Sequence, residues 1–232
     1  MTGAIVPSTN PANYNTLSGA FNEVLNAFLN STDDMLPATV VSYNRATNRA
    51  TVQPSIQMQA TNGQIITRAR IASVPVFQFG GGGFVISMPL NAGDKGWIKS
   101  NDRDISLFMQ GFNQAPPNTE FFHSFSNSVF IPAVLTGYVL ASEDASNLVI
   151  QSLDGTEKLA FWQNFIKMIT KGFGIGGTPA AGAILDVQST TKAFAPPRMT
   201  TTQKNAIAAQ EGFVVYDLNE HALSVYNGST WS

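Results

Sequence analysis

The chain has no cysteine and only two histidines, His123 and His221. Without cysteine, it forms no disulfides, no zinc-thiolate sites and no cysteine nucleophile. The two histidines lie far apart in the sequence, so we do not expect a histidine metal cluster within one chain. These absences exclude thiol chemistry and argue against a structural metal site.

Charged residues are also scarce. They make up 12% of the 232 residues, compared with about 25% in an ordinary soluble domain. The formal net charge is −2, so no overall field attracts nucleic acid, and we expect no nucleic-acid recognition. Two interpretations fit this composition. One is an ordinary β-protein with an uncharged polar surface, and the other is a chain whose flanks are covered by other copies of itself.

Long apolar runs are missing as well. None approaches the roughly 20 residues of a membrane-spanning helix. Residues 1–16 lack the basic region and apolar core of a secretory signal. The apolar share of 44% still allows buried cores, and 232 residues are enough for two domains.

The first half of the sequence changes from helical to strand periodicity. We interpret residues 1–36 as an N-terminal arm followed by an amphipathic helix over 18–30, with Ser18 as the candidate N-cap. The apolar stripe of this helix packs on its own domain or grips a neighbouring subunit. Residues 37–136 contain short strands and turns with no helix between them, which indicates an antiparallel OB-type barrel.

The second half contains shorter strands. Within residues 137–187, the sequence pattern predicts strands at 138–140, 147–151 and 158–162, whereas 165–171 is ambiguous between helix and strand. These strands carry too little apolar material to fold alone, so we interpret 137–187 as a trimeric β-structured neck, or needle, in which three chains wind together.

Residues 188–232 form the fourth part, a compact C-terminal tip module. Thr200 to Gln203 has the form of a capping box that opens a short helix through Ala209, and a β-hairpin with its tail follows. The predicted fold is therefore mainly β. It comprises an N-terminal helix, an OB-type barrel, an entwined trimeric β-structured neck and a small C-terminal α+β module with a hairpin.

Four consecutive glycines occupy positions 80–83: Gly80, Gly81, Gly82 and Gly83. A phosphate-binding loop would need Gly-Lys-Ser/Thr at the start of a helix, but a strand-like sequence follows here. We therefore predict a turn or bulge of the barrel, with Phe79 and Phe84 clamping the strand ends. A second glycine pattern, at Gly172, Gly174 and Gly177, is followed by a poor helix start and does not support nucleotide binding.

The carboxylates form no catalytic constellation in the sequence. Asp102-Arg103-Asp104 is typical of a solvated turn with a local salt bridge. Asp33-Asp34 ends or follows the N-terminal helix, and Glu143-Asp144 is typical of a turn. We expect no carboxylate to be paired with a histidine or with a suitable acid partner, so glycosidase chemistry has no support. Ser-His-Asp chemistry would have to use His123 or His221, and we expect both to be structural. We expect no enzyme activity, no catalytic residue, no metal and no cofactor.

Two regions resemble parts of phage proteins. Residues 37–133 resemble the N-terminal OB domain of the membrane-puncturing central spike family of contractile-tailed bacteriophages. That resemblance rests on the order of residues 37–43, 50–54, 74–76, the glycine run, 89–96, 102–104, His123-Ser124 and 131–132. Residues 184–231 resemble a module found near the ends of phage tail fibres and spikes, on the basis of residues 185–192, 196–200, 206–207, 212–217 and 226–231.

The resemblance to the spike family implies a homotrimer in the virion, at the tip of the tail baseplate. Three OB domains would form a collar under a tail hub protein, and the entwined needle would pierce the host outer membrane when the sheath contracts. Members of the family commonly end in a His-x-His pair that holds an apical iron. Neither His123 nor His221 belongs to such a pair, so we predict no apical metal. The needle is also short, so either the spike is blunt or a separate tip protein completes it.

Two functions remain open at this point. The first is the central spike itself, with the glycine run lying flat against a neighbouring OB domain or the hub. The alternative is a trimeric tail tip or short fibre that binds a host surface receptor. Its candidate contacts are Tyr226, Asn227 and Trp231. For these three residues we favour a role in packing the C-terminal hairpin over a role in receptor contact.

Overall fold

The computed structural model describes residues 16–60 and 63–232. The chain divides into two compact units, Met1–Gly137 and Tyr138–Ser232. Strands account for 37% of the chain and helices for 12%, which confirms the prediction of a mainly β protein with an N-terminal helix and a barrel. The finer division into four parts stays a prediction.

A five-stranded antiparallel sheet forms the centre of the first unit. Its order is β5-β2-β1-β8-β9, with β1 at Met35–Asn44, β2 at Arg49–Pro54, β5 at Ile71–Pro75, β8 at Lys95–Asn101 and β9 at Ser124–Pro132. After β5, Val76 forms a parallel bridge with Phe130, and the Phe77 N–H donates to the Phe130 carbonyl at 2.8 Å. The two edges therefore approach each other, and the sheet is a nearly closed barrel.

The barrel core follows from the period-two pattern of the strands. Alternate residues of β2 and β8 point inward and are buried. The core consists of Ala38, Val40, Ala50, Val52, Val74, Val76, Ile98, Phe125 and Phe130. A Cβ at Gly96 would lie 2.5 Å from Cζ of Phe130, so only glycine fits where this ring crosses β8.

The N-terminal helix, α1, spans Leu17–Ser31. Its N-cap is Thr16, whose hydroxyl accepts from the Gly19 N–H at 3.0 Å. The prediction of Ser18 was wrong because the helix begins earlier and Ser18 already lies in its first turn. The apolar stripe stays exposed, although the Phe28 ring lies 5.8 Å from that of Phe122. The exposed stripe comprises Leu17, Phe21, Val24, Leu25, Phe28 and Leu29.

The remaining elements of the first unit are short. β3 at Met58–Gln59 pairs with β4 at Ile65–Ile66, and β6 at Phe79–Gly81 pairs with β7 at Phe84–Ile86. The short helix α2 spans Phe108–Gly111.

The second unit contains three small sheets. β10 at Leu148–Gln151, β11 at Lys158–Phe161 and β12 at Ile166–Ile169 form an antiparallel sheet, and β13 at Phe173–Ile175 pairs in parallel with β14 at Leu185–Val187. The third sheet contains β15 at Arg198–Met199, β16 at Val214–Asp217 and β17 at Ala222–Val225, with helix α3 at Thr201–Asn205 between β15 and β16.

Four local predictions meet different outcomes in this unit. The capping box is confirmed, since Thr200 and Gln203 each bond the other's backbone N–H. The helix ends at Asn205, not at Ala209, and the strand predicted at 138–140 was wrong. The ambiguous segment 165–171 contains strand β12, because pairing with β11 stabilises the extended form.

Candidate assembly surfaces

The glycine run forms the end of a two-stranded hairpin. Gly80 and Gly81 belong to β6, and Gly81 pairs with Phe84 of β7. Gly82 and Gly83 form the two-residue turn, with φ of 59° and 87°. Positive φ at both central positions is the requirement of a type I′ turn, which matches the right-handed twist of paired strands. The prediction of a turn is thus correct for two of the four glycines, and the other two are strand residues.

Polar contacts attach the base of this hairpin to the barrel. Gln78 donates through Nε2 to Oδ1 of Asn48 at 3.2 Å, and it accepts from the Met88 N–H at 3.3 Å. Arg45 donates to the carbonyl and hydroxyl of Ser87 at 3.3 and 3.4 Å. The residues just before β6 and just after β7 are therefore bonded to one another and to the turn between β1 and β2.

The two strands of the hairpin carry apolar side chains that are open to solvent. Phe84 is 84% exposed, and Phe79, Val85 and Ile86 are also exposed. The Phe79 ring contacts Phe77, at 5.1 Å between centroids, and the exposure of Phe84 does not fit the expected clamp of Phe79 and Phe84. A Cβ at Gly81 would meet no atom of the described residues within 4 Å, whereas one at Gly80 would lie 2.7 Å from the Phe84 carbonyl. Four large apolar side chains in solvent are characteristic of a surface that another protein covers.

One face of the sheet β10-β11-β12 is covered by its own chain. A short 3₁₀ turn at Ser142–Asp144 lies over it, and the buried Asp144 carboxylate pairs with the buried Lys158 ammonium. Glu143 bonds Lys167 at 2.8 Å and Lys158 at 3.4 Å. The Lys158 hydrogen bond lowers the pKa of Asp144, and the reciprocal bond raises the pKa of Lys158. The predicted turn at 143–144 is present, and its aspartate is buried.

A similar buried pair lies in the C-terminal module. Lys204 of α3 bonds Asp217 of β16 at 2.8 Å, and both side chains are buried. Burial raises the pKa of Asp217. Hydrogen bonds from Lys204, from the backbone of Asn219 and Glu220 and from the Thr201 hydroxyl outweigh burial and lower this pKa to about 2. The pair joins helix to sheet, and no local sequence pattern predicts it because Lys204 and Asp217 are far apart in the chain.

The three predicted tip contacts lie together at the C-terminal hairpin. Tyr226 forms a bridge with Trp231, with ring centroids 5.3 Å apart. The Asn227 side-chain oxygen accepts from the N–H groups of Ser229 and Thr230 at 3.0 and 2.9 Å. Each residue therefore has a local role in the hairpin, and their role in tip contact stays a prediction.

A histidine and a carboxylate that are distant in sequence meet beside the barrel. Asp102 follows β8 and His123 precedes β9, and these strands pair through Asn101 and Ser124. His123 Nε2 consequently lies 3.4 Å from Asp102 Oδ1. The view that no carboxylate accompanies a histidine was wrong for this reason. Among the residues that the structure describes, the buried His123 Nδ1 has no hydrogen-bond partner, so no serine hydroxyl of that part of the chain completes a triad there.

Within 16–60 and 63–232, no group of three or more His, Asp or Glu side chains is arranged to hold a metal ion. In the same ranges, no helix combines the length and apolar character needed to cross a membrane.

Comparison with known families matches both ends of this architecture. Residues 36–133, which include the barrel, match the family described as phage protein Gp138 N-terminal domain. Residues 174–232 match the family described as phage tail like trimerisation region. The chain is a phage tail protein. No curated protein matches it.

The two matches also bear on assembly and location. The trimerisation region supports a homotrimer of this phage tail protein. Phage tail proteins are components of the virion, so the predicted location is confirmed at that level. The predicted resemblance is likewise confirmed to the level of a phage tail protein.

Proposed function

We propose that this phage tail protein is the trimeric central spike of a tail baseplate, which caps the hub and pierces the host outer membrane. One observation carries the proposal: the order of parts along the chain. A barrel that matches a phage N-terminal domain comes first, strands with exposed apolar side chains follow, and a trimerisation region comes last. A collar, a shaft and a trimeric end in this order suit a rod on the tail axis.

The role is mechanical and involves no catalysis. His123 and Asp102 are the nearest approach to a triad, and within the described part of the chain Nδ1 of His123 has no hydroxyl partner to activate. Incubation of the purified protein with a peptidoglycan suspension tests this point, and we expect no clearing. Clearing that a His123→Ala variant abolishes would replace the mechanical role with a hydrolase.

The glycine hairpin is proposed as the contact of the collar with a neighbouring barrel or the hub. Its base is fixed to the barrel, its strands carry exposed apolar side chains, and Gly81 leaves room for a flat approach. Beyond the trimerisation region, either the blunt end of the trimer or a separate tip protein is proposed to meet the membrane.

Copy number and position in the particle test the central role. A spike on the tail axis is present as one trimer per particle, whereas peripheral fibres repeat around the baseplate. We expect quantitative mass spectrometry to give three chains per particle, and a low-resolution map to place them on the axis below the hub. A higher copy number at the periphery would favour the receptor-binding fibre instead.

Binding to host envelopes separates the two roles independently. A mechanical spike should not bind envelopes saturably. Saturable binding that is lost in a Trp231→Ala variant, with the trimer intact, would support the alternative of a receptor-binding tip.

A further inference from the structure

The sheet β10-β11-β12 has one face that consists only of apolar side chains. Directly paired residues of an antiparallel sheet share a face. Leu148, Phe161 and Ile166 form one row across the three strands, and Ile150, Leu159 and Met168 form the next. We call these six residues the apolar face.

The apolar face is open to solvent in a single chain. Leu148, Ile150 and Ile166 are 68%, 62% and 61% exposed, and Phe161 and Met168 are also exposed. The other face of the same sheet differs sharply, because Asp144 and Glu143 cover it and pair with Lys158 and Lys167. The chain thus covers the face that carries Lys158 and Lys167 and leaves the apolar face uncovered. An uncovered apolar surface of this kind marks an interface.

We propose that three copies of this sheet pack their apolar faces against one another around the threefold axis of the trimer. The inference rests on the proposed trimer and assigns an interface to a segment that neither family match covers, since the matches end at 133 and resume at 174. Only residues 170–173 separate β12 from the trimerisation region. The apolar face therefore lies next in the chain to a region through which the copies associate.

The composition of the apolar face fits a second copy better than an unrelated partner. A threefold axis brings the same residues of every copy together, so a charged face would place like charges in contact. The apolar face contains no charge, whereas the opposite face contains Lys158 and Lys167. The strands also pair within one chain, so the copies would meet here through side chains and not through exchanged strands.

Ile150→Asp tests the proposal in the full chain. Because Ile150 is exposed in a single chain, the aspartate should leave the fold of the chain intact. It should weaken trimer formation at least tenfold, as native mass spectrometry across a dilution series measures. The matched control is Ile150→Val, which keeps an apolar surface and should retain the trimer. An Ile150→Asp protein that assembles like the wild type would overturn the proposal.

A labelling experiment covers the case in which Ile150→Asp does not fold. The chain has no cysteine, so Ile150→Cys and Ser146→Cys each introduce a single thiol. Ser146 is exposed in the turn before β10. In the intact trimer, a bulky maleimide should label position 146 rapidly and position 150 only after denaturation.

The outcomes distinguish the interface from the trimer itself. Equal labelling of both positions in a protein that is trimeric would refute the apolar face as an interface and leave it free for a membrane or another protein. A protein that is monomeric before any substitution would refute both the trimer and the interface.

Discussion

Lys158 and Lys204 are buried, and each pairs with a buried aspartate of the same unit. A buried charge is costly unless a partner and hydrogen bonds compensate it. The Asp217 carboxylate meets this condition, with donors from Lys204, Thr201 and the following backbone. At the scale of single residues, such pairs fix how the short helix α3 sits on its sheet.

Replacement of Asp217 with Asn tests this pair. The variant leaves the buried Lys204 with only the exposed Glu220 as a counter-charge, so we expect a Tm lower by several degrees at pH 7. The pKa of Asp217 is depressed to about 2 in the folded state, against about 3.9 in an unfolded chain. Its contribution is therefore present above about pH 4 and lost as the pH falls towards 2.

Thermal unfolding followed by circular dichroism between pH 7 and pH 2 measures both effects. The difference between wild type and variant should be constant above about pH 4 and shrink below it. The difference isolates Asp217, because Asp144 and Asp154 also have lowered pKa values in both proteins. A difference in Tm between wild type and variant that does not change with pH would contradict this role of Asp217.

At the scale of elements, the glycines of the hairpin are of two kinds: some are required by the backbone conformation of the turn, and one lies on an open surface. Gly82 and Gly83 require positive φ, whereas Gly81 is an ordinary strand residue with open space around it. A substitution at Gly82 therefore acts on the turn, and one at Gly81 acts only on what approaches the hairpin.

Gly82→Ala and Gly81→Ala form a matched pair of variants. We expect Gly82→Ala to destabilise the hairpin by about 1–2 kcal/mol, the cost of a left-handed conformation for a residue with a Cβ. Gly81→Ala should leave the free energy of unfolding nearly unchanged but weaken assembly with the hub or neighbouring barrels. Chemical denaturation and co-purification with tail proteins measure the two effects. If Gly81→Ala assembles normally, glycine there serves only the strand.

At the scale of the whole molecule, the exposed apolar surface argues for assembly. Large apolar side chains are exposed on α1, on the glycine hairpin and on β10-β11-β12. Large apolar patches on a protein surface are characteristic of sites that another protein covers. The scarcity of charge therefore agrees with the second interpretation of the composition, flanks covered by other copies.

The thermal stability of the full chain should depend on its concentration. Unfolding coupled to dissociation of a trimer makes Tm rise as protein concentration rises. Differential scanning fluorimetry over a hundredfold dilution, together with light scattering, measures this dependence. A chain that stays folded as a monomer at the lowest concentration, with constant Tm, would contradict the homotrimer.

Local sequence signals predicted many elements and failed where contacts between distant residues decided the outcome. The alternating pattern of Arg49–Pro54 gave strand β2 within its observed bounds, and Thr200 with Gln203 gave the capping box. In contrast, His123 and Asp102 are brought together only by the pairing of β8 with β9. Within segment 165–171, residues Ile166–Ile169 likewise form a strand because they pair with β11.

The amino-acid sequence by itself determined the mainly β class, the helix, the barrel segment and the likeness to phage tail components, because periodicity, turn residues and motif order are local properties. Only the tertiary structure decided which two glycines form the turn, which lysines are buried, and which face of β10-β11-β12 stays uncovered. These features depend on strand register and on how the helix and turns pack on the sheets, because both decide which side chains share a face and which charges meet.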